Sequence, residues 1–252
     1  MTADDHETAR SLATAAGRLL LQVRLRDFAD ASARRAAGDA EAHRFLADRL
    51  ADLRPEDVVL SEEGADDPAR LAADRVWIVD PLDGTREFAE LDRADWAVHV
   101  ALWERGELVA GSVALPAEGT TLSTARPLRT APAGNGPIRL AVSRSRPPAL
   151  VADLAARLGG ELVPMGSAGV KAMAVVRGRA DAYVHGGGQY EWDSAAPVAV
   201  ARAAGLHTSR LDGSALRYNK PSPWSPDLLI CRPELTDVLL AALAGTGTGH
   251  PG

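Results

Sequence analysis

Apolar residues near the amino terminus recur at the spacing of one helical face, which predicts an amphipathic α-helix over residues 7–25. Residues 26–38 are rich in Ala and Arg and have no clear period. A second helix is predicted from Asp39, whose side chain would cap its first turn, to Pro55, which cannot continue a helix. The chain is therefore predicted to open with two helices.

Strand patterns follow the helices. Residues 58–64 form a short apolar run that leads into an acidic loop, and the apolar run Val76–Val79 predicts a buried strand. This second strand is expected to end near Asp80, because Pro81 lacks a backbone donor and fixes its own φ angle.

The remaining pattern predicts two parts of different character. Residues 95–125 alternate around a turn at Arg105-Gly106, which predicts a hairpin or meander. A Pro- and Gly-containing loop follows, and beyond it strand and helix patterns alternate, as in a layered α/β unit. We expect an amino-terminal α+β part over 1–136 and a carboxy-terminal α/β part over 137–252.

Composition narrows the class of protein. The 252 residues carry a net charge of −6, which argues against a nucleic-acid polymer as partner but permits a small phosphorylated substrate beside a metal ion. The single cysteine, Cys231, lies in an apolar run and is predicted to be a buried structural thiol in a reducing cytoplasm. The polar amino terminus and the lack of any apolar run near ~20 residues predict neither a signal peptide nor a membrane span.

Acidic residues suggest the chemistry. They form four groups: Glu62-Glu63, Asp80 with Asp83, Glu191 with Asp193, and Asp39. The six histidines are scattered and have no zinc-like spacing. A bound metal would therefore be a hard cation such as Mg²⁺ or Mn²⁺.

The order of residues in Asp80-Pro81-Leu82-Asp83-Gly84-Thr85 limits the mechanism. Residues i and i+3 of a strand point to opposite faces, so we expect a proline turn to bring both carboxylates and the carbonyl between them together. A helix beginning at Thr85 would offer its free N–H groups to a phosphate. The D-x-x-D-G-T spacing differs from the D-x-D-G-T of haloacid-dehalogenase-like phosphatases, which favours water over an aspartyl nucleophile. An acidic turn with a capping Asp is the simpler alternative.

Three motifs together resemble the inositol monophosphatase superfamily, in particular its CysQ-type 3'(2'),5'-bisphosphate nucleotidase branch. They are LSEEG at 60–64, WIVDPLDGTREF at 77–88 and EWDSAAPVAVARAAG at 191–205. The resemblance implies a layered α-β-α-β-α sandwich. It also implies a lithium-sensitive phosphatase that removes the 3'-phosphate of 3'-phosphoadenosine 5'-phosphate, in sulfur metabolism, by in-line attack of a metal-activated water.

The resemblance also implies roles for individual residues. Two or three Mg²⁺ ions, or Mn²⁺ as a substitute, would be held by Glu62, Asp80, the Leu82 carbonyl, Asp83 and Asp193. Glu63 would support a water, Thr85 would orient the attacking water, and the Gly84 and Thr85 amides would hold the phosphate. The Thr that the family often places before the second helix is missing, so Asp39 is assigned as the water-activating acid, with a plain N-cap as the alternative.

Substrate contacts and alternatives complete the sequence-based hypothesis. Gly166, Ser167, Lys171 and Glu191 are expected to contact the substrate, with Lys171 meeting a second phosphate. Trp192, Tyr218 and Trp224 are unranked candidates for stacking on adenine. An inositol-1-phosphate or fructose-1,6-bisphosphate phosphatase is the alternative enzyme, and a non-catalytic nucleotide-binding regulator is the alternative class. The chain is expected to be a monomer or a homodimer.

Overall fold

The structure is a computed structural model, and it describes residues 4–130, 134, 136–145 and 147–245. Its helices are α1 (Asp5–Arg24), α2 (Ala31–Leu53), α3 (Thr85–Ala89), α4 (Ala149–Leu158), α5 (Ala168–Val176), α6 (Glu191–Ala203) and α7 (Thr236–Ala244). Its strands are β1 (Val58–Ser61), β2 (Arg75–Asp83), β3 (Ala97–Glu104), β4 (Glu107–Leu115), β5 (Thr120–Ser123), β6 (Arg139–Ser143), β7 (Glu161–Met165), β8 (Ala182–Tyr190), β9 (His207–Ser209) and β10 (Trp224–Cys231).

These elements stack in five layers, which confirms the predicted α-β-α-β-α sandwich. One sheet has the order β1-β2-β3-β4-β5 and the other has the order β7-β6-β8-β10-β9. Helices α1 and α2 pack on the outer face of the first sheet, and α4 and α7 pack on the outer face of the second. Helices α5 and α6 fill the space between the sheets in the largest apolar core. Along the chain, residue 136 lies between β5, the last strand of the first sheet, and β6, the first strand of the second.

Helix α2 begins earlier than the sequence pattern predicts. Asp30 is its N-cap and accepts a hydrogen bond from the Ala33 amide at 2.8 Å. The prediction of a helix start and N-cap at Asp39 is therefore wrong, because the preceding Ala- and Arg-rich stretch consists of strong helix formers. Gly38, inside this helix, lies directly against the side chains of Leu82 and Phe88, where an added Cβ would approach both to under 3 Å. This close approach brings the middle of α2 next to the end of β2.

Strand β2 continues through Pro81 to Asp83, so the prediction that it ends near Asp80 is also wrong. Asp80 pairs with His99, whereas Asp83 pairs with Ala97, and a bulge accommodates the extra residue on β2. His99 and Ala97 are two residues apart and share a face of β3. The bulge consequently turns Asp80 and Asp83 to the same side, which a regular strand would not do.

The meander and several boundaries follow the sequence pattern. β3, β4 and β5 are consecutive antiparallel neighbours, and the β3–β4 turn has positive φ at Arg105 and Gly106. The three glycines 186–188 lie within β8. Among the helices of the described residues, none has the length and apolar character needed to cross a membrane.

Candidate metal centre and substrate cleft

Three aspartates from distant parts of the chain meet at one point. Asp80 and Asp83 come from the bulged end of β2, and Asp193 is the third residue of α6. One carboxylate oxygen from each residue lies within 4.8 Å of the others. The Asp193 carboxylate also accepts a hydrogen bond from the Tyr190 amide at 2.7 Å, which fixes it in the first turn of the helix. This arrangement could hold a metal ion.

The electrostatics of the cluster favour a bound cation. Asp80 is 1% exposed, and burial followed by the negative charge of Asp83 raises its pKa well above the usual range. Burial and Asp83 also raise the pKa of Asp193 to about 6. Glu62 is exposed at the rim, yet the surrounding protein atoms and the negative charge of Asp193 raise its pKa to about 7, against the opposing effect of its interaction with Asp80. Carboxylates that are crowded together, with raised pKa values, are stabilised by binding protons or a hard divalent cation. The donor set therefore fits Mg²⁺.

Asp83 has a different environment, because it is surrounded by donors. Its carboxylate accepts hydrogen bonds from the Ser167 hydroxyl, from the Ala168 amide at 3.1 Å and from the Gly169 amide at 2.6 Å. His99 Nε2 lies 3.1 Å from the same carboxylate. Burial alone would raise the pKa of Asp83, but His99, Lys171 and the hydrogen bonds hold it well below the usual range. One acceptor position on Oδ1 is left for a cation, since among the described residues that oxygen accepts only the Ala168 amide.

The start of α5 holds an acid of the cluster, and Ser167 also lines the larger of the two cavities described below. The sequence predicts that Gly166 and Ser167 contact the substrate at this helix start, and the helix does begin there, with Ser167 as N-cap. However, the amides of Ala168 and Gly169 are occupied by Asp83, and the Gly166 amide donates to Asp95 at 2.6 Å. In this structure these groups hold an acid of the cluster rather than offering free donors.

Glu191 is not brought into the cluster. Its carboxylate is fully buried and accepts hydrogen bonds from the amides of Asn219 at 2.6 Å and Lys220 at 3.0 Å. Arg70 holds the same segment from the other side, through the Asn219 side chain at 2.8 Å. The Glu191 carboxylate thus orients the segment beside the start of α6 and lines neither of the two cavities described below.

Of the three further residues predicted for the site, Thr85 lines a cavity beside the cluster, whereas Asp39 is placed near Glu63. Asp39 is half-buried in α2, and burial followed by the negative charge of Glu63 raises its pKa to about 7. Thr85 is the first residue of α3, after Gly84 in the left-handed conformation at φ 86°. Arg24 of α1 donates to the carbonyl of Phe88 at 2.8 Å and so ties down the end of this short helix.

Two adjoining cavities give access to the acids. The smaller, of about 280 Å³, is lined by Glu62, Asp80, Leu82, Asp83, Gly84, Thr85, Arg86, Glu87, Ser145 and Asp193. The larger, of about 700 Å³, shares Asp83, Ser145 and Asp193 with the first. That volume suits a small organic ligand such as a nucleotide.

Lys171 lies on the wall of the larger cavity. Its ammonium donates to the Ser167 carbonyl at 2.6 Å and stands 5.3 Å from the centre of the Tyr183 ring. The side chain is 7% exposed, and burial lowers its pKa. The ammonium hydrogen-bonds the carbonyls of Gly166 and Ser167. Among the described residues, no carboxylate lies within hydrogen-bond distance of it.

The aromatic residues proposed for adenine stacking lie elsewhere. Trp192 stacks on Tyr190 with ring centres 4.7 Å apart, and buried Tyr218 shares a hydrogen bond with Ser194. Trp224 is 47% exposed and packs on the backbone of Gly188. None of the three candidates is among the described residues that line the larger cavity, whereas Tyr183 is.

His99 is a member of the site that the sequence analysis does not single out. It is fully buried in β3, directly opposite Asp80, and contacts Asp83. A sequence signal exists, because His99 is the one ionisable residue between Trp96 and Trp103 in an otherwise apolar strand. Buried charges of this kind require a partner, and the acids of the neighbouring strand supply it.

Comparison with known proteins gives a consistent result. The model of the inositol monophosphatase family matches residues 4–246. A 3'-phosphoadenosine 5'-phosphate phosphatase of Mycobacterium bovis is 53% identical over 238 residues, covering 91% of this chain and 89% of the relative. The 3'(2'),5'-bisphosphate nucleotidase CysQ of Escherichia coli (strain K12) is 32% identical over 197 residues, covering 72% and 78%. The crystal structure of CysQ from Bacteroides thetaiotaomicron has a TM-score of 0.80 at 26% identity, covering 90% of this chain and 97% of that one.

Proposed function

Because the chain belongs to the inositol monophosphatase family, we propose that it removes the 3'-phosphate of 3'-phosphoadenosine 5'-phosphate and releases AMP and phosphate. The observation that carries this proposal is the convergence of Asp80, Asp83 and Asp193 beside a cavity of about 700 Å³. The names of the similar proteins support the choice of nucleotide.

The acids would hold two or three Mg²⁺ ions, with Mn²⁺ as a possible substitute. Glu62, Asp80 and the Leu82 carbonyl would serve one ion, and Asp80, Asp83 and Asp193 the next. When bound, such ions lower the pKa of a water molecule and neutralise the charge of the phosphate. The free acceptor position on Asp83 Oδ1 supports this assignment.

The residues around the cluster would orient and activate the attacking water. Thr85 would hold the water by its hydroxyl, and Asp39 would accept its proton. A carboxyl with a pKa of about 7 is suited to this role, because it can take and release a proton near neutral pH. Glu63 would support a further water at the rim. The Gly84 and Thr85 amides would hold the phosphate oxygens.

The larger cavity would receive the nucleotide. Lys171 would meet the 5'-phosphate as a point charge, because it faces this cavity without a carboxylate partner. Such a contact would distinguish a bisphosphate from a monophosphate. We place the reaction in the cytoplasm, where a nucleotide by-product of sulfur metabolism would be cleared, and in a monomer or a homodimer.

A phosphate-release assay with Mg²⁺ tests the substrate. We expect kcat/KM to be higher for 3'-phosphoadenosine 5'-phosphate than for inositol 1-phosphate or fructose 1,6-bisphosphate. A higher value for either sugar phosphate would contradict the proposal. No turnover of any of them would instead favour a non-catalytic nucleotide-binding protein.

Variants test the residues. D193N is expected to abolish turnover, whereas D74N, which removes an exposed acid paired with Arg105 at the far end of β2, should leave it unchanged. K171M is expected to lower the preference for the bisphosphate over inositol 1-phosphate. Equal losses on both substrates would contradict the role given to Lys171.

A further inference from the structure

His99 connects the two segments that supply the second cation's proposed ligands. Its Nε2 lies 3.1 Å from the Asp83 carboxylate, and its Nδ1 lies 3.1 Å from the carbonyl of Trp192, the residue before Asp193. Asp83 ends β2 and Asp193 belongs to α6, so one imidazole in β3 contacts both segments. The side chain is 0% exposed and cannot move away into solvent.

The chemistry of an imidazole ring suits this bridge. Both of its partners are oxygen atoms: Nδ1 is at hydrogen-bond distance from the Trp192 carbonyl, and Nε2 lies against the Asp83 carboxylate. A Leu of similar size could fill the space but could donate to neither. Since the bridge ends one residue before Asp193, it limits how far the start of α6 can move from Asp83.

A third element closes on the same ring. Gly169 of α5 donates its amide to Asp83 and packs so closely on His99 Nε2 that an added Cβ would overlap the ring. Asp83 is therefore held between β3 and α5, with the imidazole fixed between them. A side chain enclosed on this many sides determines where its partners lie.

We propose that His99 is a positioning residue that sets the spacing of Asp83 and Asp193 and thereby the affinity of the site for its second cation. The inference rests on the proposed metal centre, and it adds a residue that none of the three sequence motifs contains. Partners that orient metal ligands typically contribute about 10- to 100-fold in metal affinity or activity.

Three substitutions separate the two contacts. In H99Q the amide nitrogen can occupy the place of Nε2 and reach Asp83, whereas in H99N it can occupy the place of Nδ1 and reach only the Trp192 carbonyl. H99L retains neither contact. H207L is the matched control, because His207 lies on β9 and, within the part of the chain that the structure describes, its one side-chain hydrogen bond is to Ser209.

Mn²⁺ binding to the protein without substrate, measured by electron paramagnetic resonance of the free ion, is the primary readout, together with the thermal midpoint and kcat against Mg²⁺ concentration. We expect H99L to bind the second, less tightly held Mn²⁺ ion with an affinity about 10- to 100-fold lower than that of the wild type. The affinity of H99N should be intermediate, and that of H99Q should be nearest to the wild-type value. A merely structural role would lower the thermal midpoint of H99N and H99Q alike without separating their Mn²⁺ affinities.

The outcomes distinguish this inference from the proposed function. If H99L binds Mn²⁺ as tightly as the wild type or more tightly, His99 is not a positioning residue although the metal centre stands. If the wild type itself binds no Mn²⁺, both the metal centre and the role of His99 are overturned. Should H99L not fold, the order of H99Q and H99N decides.

Discussion

The contact between α2 and the end of β2 can be tested by giving Gly38 a side chain. In G38A the new Cβ would lie 2.7 Å from Phe88 Cε1 and 2.9 Å from Leu82 Cδ2. Helix propensity favours Ala over Gly by about 1 kcal/mol, whereas overpacking a core costs about 1–3 kcal/mol. The ring of Phe88 is fully buried against Trp96 and cannot yield easily. We therefore expect the overpacking cost to lie in the upper part of its range, about 2–3 kcal/mol, which leaves a net loss of about 1–2 kcal/mol.

This loss should be visible in stability and larger in activity. A loss of about 1–2 kcal/mol corresponds to a decrease in Tm of roughly 2–8 °C for a chain of this size. To relieve the overlap, α2 must move away from Leu82, and Asp39 moves with it. We expect kcat/KM for phosphate release to fall about tenfold or more, because a shift of about 1 Å at a positioned group can cost up to about 100-fold.

G17A provides a matched control for this experiment. Gly17 is also a helical glycine, and an added Cβ would lie 2.7 Å from Pro116 Cγ, remote from the acids. Its Tm should fall as that of G38A does, while its kcat/KM should stay near the wild-type value. If G38A is more stable than the wild type, or if the two variants lose activity equally, the α2 contact does not position Asp39.

Two further predictions concern protons and the thiol. Because the pKa values of Glu62 and Asp39 are raised to about 7, the folded protein without divalent ions binds more protons than the unfolded chain between about pH 4 and about pH 7. Its stability should therefore fall as the pH rises through that window. The raised pKa of His99 contributes to this pH dependence with the same sign. The increase in Tm on adding Mg²⁺ should therefore be larger at the higher pH. A Tm that rises with pH in the absence of Mg²⁺ would refute this prediction. Burial raises the pKa of the Cys231 thiol to about 11, so a thiol reagent should label it only after unfolding, and fast labelling of the native protein would show that it is accessible.

The sequence contains most of what is needed to predict the fold and the cluster. The motif order and the D-x-x-D spacing indicate which acids meet, and the helix starts at Thr85 and after Ser167 follow from local signals. These features depend on residues close together in the chain, where capping and glycine chemistry act.

The features that could not be predicted depend on partners distant in the chain. The bulge between Asp80 and Asp83 is defined only by the register with β3, which no local pattern reports. Likewise the sequence suggests that Glu191 is a site acid, whereas in the structure its carboxylate accepts a hydrogen bond from the amide of Asn219, a residue 28 positions later. The start of α2 at Ala31 could not be predicted, because the residues before Asp39 favour a helix by propensity but show no apolar periodicity.

The donors that surround Asp83 also have a consequence for how the protein is made. The Ser167 hydroxyl, which bonds Asp83, lies 84 residues later in the chain. At a synthesis rate of about 5–20 residues per second, the acids of β2 leave the ribosome roughly 4–17 s before these partners exist. During that interval the nascent amino-terminal part has no finished centre. Catalytic competence is therefore acquired only when the second sheet and its helices have docked, which makes assembly of the centre a late step of folding.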